Sequence, residues 1–160
     1  MQKQKLSFEL TIFDELAELS KEYQALISKA VAARKNAYAP YSNFQVGAAV
    51  LMENGKTVIG SNQENASYPS GLCAERVAVF QAGALYPGMR IKAVAITATS
   101  KNHVVDSPAA PCGNCRQSML EYECRQKKPI KLFLMGETGK VVQCNSIADI
   151  LPLGFDSSFL

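Results

Sequence analysis

Two short segments carry the residues best suited to chemistry, Cys73-Ala74-Glu75 and Pro111-Cys112-Gly113-Asn114-Cys115. Together they offer three thiolates for one metal and a carboxylate two residues after the first of them. A catalytic zinc takes three protein ligands and leaves the fourth tetrahedral position to water, whose pKa the metal lowers to roughly 7. Cys73, Cys112 and Cys115 supply the three ligands, and Glu75 stands beside the open position, placed to carry protons between that water and a substrate. The segments therefore outline a hydrolytic site with one zinc per chain. A Cys-x-x-Cys alone also fits a redox pair, but that reading leaves Cys73 and Glu75 unexplained. A closed structural zinc would need a fourth ligand, and Cys124, Cys144 and the single histidine, His103, lack a suitable spacing. His103 follows Ser100-Lys101-Asn102 and reads as a solvated loop residue.

The surrounding residues carry a likeness to a known family. Asn62-Gln63-Glu64-Asn65-Ala66-Ser67-Tyr68-Pro69-Ser70-Gly71-Leu72-Cys73-Ala74-Glu75-Arg76 resembles the core of the small homotetrameric, zinc-dependent cytidine deaminases. Pro40-Tyr41-Ser42-Asn43-Phe44 with Val46-Gly47-Ala48-Ala49 resembles the segment leading into their first strand, and Pro111 to Gln117 their second metal motif. The likeness runs in order from Ser20 to Phe155. It implies an α/β, cytidine-deaminase-like layered fold: a mixed five-stranded sheet with helices on both faces.

The resemblance also implies hydrolytic deamination of cytidine and deoxycytidine to uridine and deoxyuridine, with release of ammonia, in pyrimidine salvage. In that scheme a metal-activated water attacks carbon 4 of the base. Glu75 protonates ring nitrogen 3 and then passes the second proton to the departing amino group. Asn62 and Glu64 match the family's ribose-binding pair, Phe44 an aromatic that packs on the pyrimidine, and Ala74 a backbone contact to the base. Arg76 matches an arginine that bonds the cysteine sulfurs and so compensates a site of net charge about −1. Phe155 matches an aromatic that reaches the pocket of a neighbouring subunit, which carries the expectation of a homotetramer. A deaminase of a modified nucleoside such as blasticidin S shares the motif, although Asn62 with Glu64 favours the ordinary nucleoside. A zinc-stabilised binding module without chemistry is the other alternative, and Glu75 speaks against it.

Composition narrows the partners. At 160 residues, 48% hydrophobic and 19% charged, the chain has the make-up of one globular domain. No apolar run approaches the roughly 20 residues of a membrane span. A net charge of +3, no tryptophan and scattered basic residues give no channel for a nucleic-acid polymer. Arg125, Lys127 and Lys128 form the one basic cluster, which reads as a complement to a helix C-terminus. Five cysteines cannot all pair as disulfides, and Met1-Gln2-Lys3-Gln4-Lys5 lacks a secretory apolar core, so a cytoplasmic location is expected. Cys124 and Cys144 read as small core hydrophobes.

The elements that must position the site follow from periodicity. Leu6, Phe8, Leu10 and Ile12 alternate with polar residues, predicting a strand within residues 1–19, outside the family core. Leu16, Leu19, Tyr23, Leu26, Ile27, Ala30 and Val31 recur at helical spacing, predicting a helix from Phe13 or Ser20 to Lys35. Val46 to Met52 and Lys56 to Gly60 flank Glu53-Asn54-Gly55, a hairpin signal. Cys73 to Gly83 and Cys112 to Glu123 read as helices with the ligands in their first turns, and Ile91 to Thr99 as a buried central strand. Ile130 to Met135 and Val141 to Cys144 supply the last strands, and Ser146-Ile147-Ala148-Asp149 signals a short closing helix.

Overall fold

In a computed structural model covering residues 1–160, six strands form one sheet in the order β1-β6-β5-β4-β2-β3. The strands are β1 (Leu10–Phe13), β2 (Phe44–Met52), β3 (Thr57–Ser61), β4 (Ile91–Ser100), β5 (Lys131–Met135) and β6 (Val141–Cys144). The helices are α1 (Lys21–Arg34), α2 (Ala74–Leu85) and α3 (Gly113–Gln126). Only β4 and β5 run parallel. Parallel neighbours need a long crossover, which α3 supplies, and so its N-terminus emerges just past the end of β4.

The expected five strands become six. The N-terminal segment does not stand apart: it adds to the sheet, with Leu10 opposite Cys144 and Phe13 opposite Val141. Otherwise β6 would end the sheet with a row of unpaired backbone groups, and β1 satisfies them. The strand is also shorter than its alternation suggested, since Leu6 and Phe8 precede it and are exposed. The predicted first helix divides as well. Leu16–Glu18 form a single 3₁₀ turn, and α1 begins only after Ser20, whose carbonyl accepts from Tyr23 and Gln24. The closing helix is one 3₁₀ turn, Ala148–Ile150.

Consecutive strand residues point to opposite faces. Accordingly, Ala49 and Leu51 of β2 cluster with Leu26, Ile27 and Ala30 of α1, around Phe133. Ala48, Val50 and Met52 cluster instead with Ala78, Val79 and Ala82 of α2 and Cys115, Met119 and Leu120 of α3. Cys144 is buried in this second cluster and Cys124 packs on its margin, matching their reading as core hydrophobes. Gly60 on β3 sets how closely α2 approaches: a Cβ there would lie 2.6 Å from the Ala74 carbonyl and the Ala78 amide. Only glycine admits that contact, and it fixes the first turn of α2, where the chemistry sits.

Candidate active site

Cys73 and Cys112 occupy equivalent places, each the residue capping a helix N-terminus with extended backbone. Neither helix has a side-chain cap hydrogen bond, so first-turn amides and the positive ends of both dipoles are left for the thiols themselves. Cys115, one turn into α3, is fully buried, and the sulfurs of Cys73, Cys112 and Cys115 all lie within 4.8 Å of one another. The Cys112 and Cys115 sulfurs are 3.6 Å apart. Three residues separated by up to 42 positions thus converge on one point.

The donor set fits a soft dication. The Cys115 thiol, by donating to Cys73, is the largest influence drawing the Cys73 pKa down to about 5, with Arg76 and Cys112 assisting against burial. The same bond and burial push Cys115 the other way. A cluster that gives up its first proton readily and holds the next needs a cation at its centre to ionise fully, and a set of three thiolates suits zinc.

Glu75 lies one residue past Ala74 in the first turn of α2 and is only 5% exposed. Burial is the main cause that raises its carboxyl above the ordinary 4.5; its own backbone amide opposes this, the Cys73 charge adds to it, and the Cys115 thiol and Arg76 pull the other way. A buried carboxyl held toward its neutral form is suited to both giving and taking protons. Burial lowers the Arg76 pKa, but hydrogen bonds and charge from Cys73 and Cys115 outweigh it and the net shift is upward. The Arg76 guanidinium donates to the Gly71 carbonyl at 3.3 Å, and its buried Nε has no partner within the chain.

A cavity of about 470 Å³ opens beside the thiols, with Cys73, Arg76, Asn62, Glu64, Ser42 and Tyr41 on its walls. Backbone bonds build that wall: Gln63 pairs with Leu72 in both directions, the Tyr38 amide donates to the Asn62 carbonyl, and the Glu64 amide to the Tyr38 carbonyl. Asn62 and Glu64 are thereby carried to within reach of Cys73.

Their side chains are partly committed. The Asn62 amide oxygen accepts from Val46 N–H at 2.8 Å and its nitrogen donates to the Phe44 carbonyl at 3.0 Å. The Glu64 carboxylate accepts from the amides of Tyr41 (2.9 Å) and Ser42 (3.3 Å) and from the Ser42 hydroxyl. Phe44, Ala74 and Glu75 do not line this cavity. Phe44 is half-buried at the start of β2, and Ala74 is fully buried against Gly60. Phe155 lies apart in the C-terminal segment, 55% exposed and stacked on Phe159 at 5.4 Å. His103 is exposed in the loop after β4, as its polar surroundings suggested.

Two positioning residues had no role assigned from sequence. Arg116 donates to the Pro111 carbonyl and to the Ile150 carbonyl, both at 2.8 Å, tying the second ligand loop to the C-terminal segment. Ser42, besides bonding Glu64, accepts from the Phe44 amide two residues on. A serine that accepts from the amide two residues ahead is a turn pattern visible in sequence. Its second bond, to a residue on another loop, is not.

Residues 20–128 match the family model for the cytidine and deoxycytidylate deaminase zinc-binding region. The chain belongs to that family. Among relatives of these deaminases, cytidine deaminase of Halalkalibacterium halodurans is 41% identical over 133 residues, covering 82% of this chain and 92% of the relative. That of Sporosarcina psychrophila is 37% identical over 140 residues, 87% and 95% of the two chains. The crystal structure of cytidine deaminase from Burkholderia pseudomallei superposes with a TM-score of 0.72 at 43% identity, covering 83% of this chain and 98% of that one. The family's zinc-binding region contains all three clustered cysteines and Glu75. No helix is long and apolar enough to cross a membrane.

Proposed function

We propose that the protein is a zinc-dependent cytidine and deoxycytidine deaminase, releasing uridine or deoxyuridine and ammonia for pyrimidine salvage. The observation that carries this reading is the buried Glu75 carboxyl beside a three-cysteine cluster, both on helix N-termini. Zinc bound by Cys73, Cys112 and Cys115 would supply an acidified water as the nucleophile. Glu75 takes one proton from the attacking water and delivers it to ring nitrogen 3. It then takes the second proton and delivers it to the amino nitrogen, which leaves as ammonia while the oxygen remains on carbon 4. Arg76 offsets the surplus negative charge of three thiolates, sharing hydrogen bonds and charge with those of Cys73 and Cys115. Phe44 and the Ala74 backbone, the latter at a buried helix start packed on Gly60, hold the base.

The sugar falls to Asn62 and Glu64. A carboxylate has about four acceptor positions, and three on Glu64 are taken by Tyr41 and Ser42. Asn62 keeps one acceptor and one donor beyond its bonds to Val46 and Phe44. One sugar hydroxyl, donating to Glu64 and accepting from Asn62, takes the last acceptor position of Glu64 and the free donor of Asn62, so cytidine and deoxycytidine are each accepted.

The layered arrangement, one domain with α1 on one face of the sheet and α2 and α3 on the other, is supported by the two separate apolar clusters. We assign Phe155 to a neighbouring subunit's pocket in a homotetramer, because its ring is exposed rather than packed into its own core. Five unpaired cysteines, three of them serving as ligands, suit a reducing compartment such as the cytoplasm. An absorbance assay on cytidine, deoxycytidine, cytosine and blasticidin S tests the reading. Turnover of both nucleosides with little on free cytosine is expected, and preference for blasticidin S or inactivity of the zinc-loaded protein would reject it.

A further inference from the structure

We infer that Ser42 is a positioning residue for substrate selection, the hydroxyl that holds Glu64 at the one orientation in which it reads a sugar hydroxyl. This rests on the assignment of Glu64 to the sugar. Ser42 stands on the cavity wall at the junction of the loop after α1 and the start of β2. The following residue, Asn43, has φ 56, a left-handed conformation that turns the chain sharply and brings the Ser42 side chain back over the Phe44 amide. Its oxygen accepts from that amide at 3.0 Å. An amide can only be met by a lone pair, so the hydroxyl proton is left to point away from it, and it points at Glu64 Oε1.

The consequence is a division of labour between the two carboxylate oxygens. Oε2 accepts from two backbone amides, Tyr41 and Ser42, and is saturated. Oε1 accepts from Ser42 alone and keeps its second lone pair for a ligand. The amides can hold the carboxylate by one oxygen, but rotation about that anchor is free without the second tether. The Ser42 bond removes that freedom and is also the largest influence keeping Glu64 ionised.

The same hydroxyl locks the neighbouring groups together. Phe44 donates its amide to Ser42 and accepts from Asn62 at its carbonyl, and Asn62 in turn accepts from Val46. The aromatic assigned to the base and the pair assigned to the sugar therefore share one chain of hydrogen bonds, and Ser42 is the link that joins Glu64 to it. A side chain that merely capped a turn would need only the first of its two bonds.

The test compares cytidine with 2′,3′-dideoxycytidine, which offers Glu64 no ring hydroxyl. A hydrogen bond to a charged group contributes about 1.5–3 kcal/mol. Losing the alignment in Ser42→Ala should therefore lower the ratio of kcat/KM for cytidine to that for dideoxycytidine by about tenfold or more. Most of the loss should fall in KM. Ser42→Thr, which keeps the hydroxyl, should restore the ratio. Glu64→Ala is measured alongside, and the double variant should be no less selective than Glu64→Ala alone. If Ser42→Ala weakens both substrates equally, or Thr fails to rescue a folded protein, the serine is a turn residue and the inference is wrong. If Glu64→Ala itself leaves the ratio unchanged, the sugar assignment fails, and the role of Ser42 falls with it. A large ratio change in Glu64→Ala with none in Ser42→Ala overturns the serine alone.

Discussion

Replacing Glu75 by glutamine separates the proton carrier from everything else the residue does. The two side chains match in length and volume, so packing in the first turn of α2 is kept. The buried carboxyl carries a desolvation cost that raises its pKa above the ordinary 4.5. A group whose folded pKa is raised in this way stabilises the fold only when protonated, at low pH, and weakens it at neutral pH. A neutral amide removes that cost, so the melting temperature near pH 7 should not fall. The rate should collapse. General acid–base groups are worth about 10²–10⁴ in rate, which is about 2.7–5.4 kcal/mol of barrier.

The structure puts the expected loss at the upper end of that range. The side chains acting on Glu75 are Cys73 and Cys115, which the metal would hold as thiolates, and Arg76, which stays protonated. None can relay a proton in its place, and a residue only 5% exposed is poorly served by bulk water. Steady-state kinetics on cytidine, with zinc measured by atomic absorption and folding by calorimetry, would decide the matter. A Glu75→Gln protein with full zinc and less than a tenfold drop in kcat would refute the proton-carrier role. A loss of activity that tracks a loss of zinc would show that Glu75 serves the metal site instead.

Cys112→Ala should abolish bound zinc, because only three protein sulfurs converge on the site, whereas Cys124→Ser should leave metal content at one per chain. Gly60→Ala should cost about 3 kcal/mol or more, read from the urea midpoint, because both clashes at 2.6 Å are with backbone that cannot rotate away. Wild-type stability in that variant would show that α2 can back off from β3. Three hydrogen bonds, the Ser42 hydroxyl's first, hold the Glu64 carboxyl below its ordinary 4.5. Its contribution to binding is present above that value and lost only below it, so this group should leave the KM for cytidine flat between about pH 8 and about pH 5. A rise in KM that begins near pH 6 and disappears in Glu64→Gln would contradict that. Removing residues 1–13 should expose the β6 edge and promote self-association in light scattering, while leaving deamination intact, since the family region begins at residue 20.

Much of the chemistry was legible in the chain because it is local. Cys73 and Glu75 are two residues apart, and Cys112 and Cys115 are one helical turn apart, so each pair is placed by a single helix start. Helical spacing located α1, the Asn-Gly hairpin signal β2, a continuous apolar run β4, and the two cysteine motifs α2 and α3, each to within a few residues. The spacing could not say that the two helix starts point at each other. That depends on Gly60 letting α2 sit tightly on β3 and on the crossover through α3 between parallel strands.

The N-terminal alternation was read correctly as a strand, but its partner, β6, lies some 130 residues away in sequence, and pairing at a sheet edge leaves no mark on either segment alone. Ser42 and Arg116 stood in motifs that drew attention to their neighbours. Their work is done through bonds to Glu64 and to the Ile150 carbonyl, across separations at which sequence carries no distance information. The residue types and their short spacings thus determined the reaction chemistry and the metal. Tertiary structure decided the convergence, the free lone pairs and the edge of the sheet, because each depends on segments brought together only when the core closes.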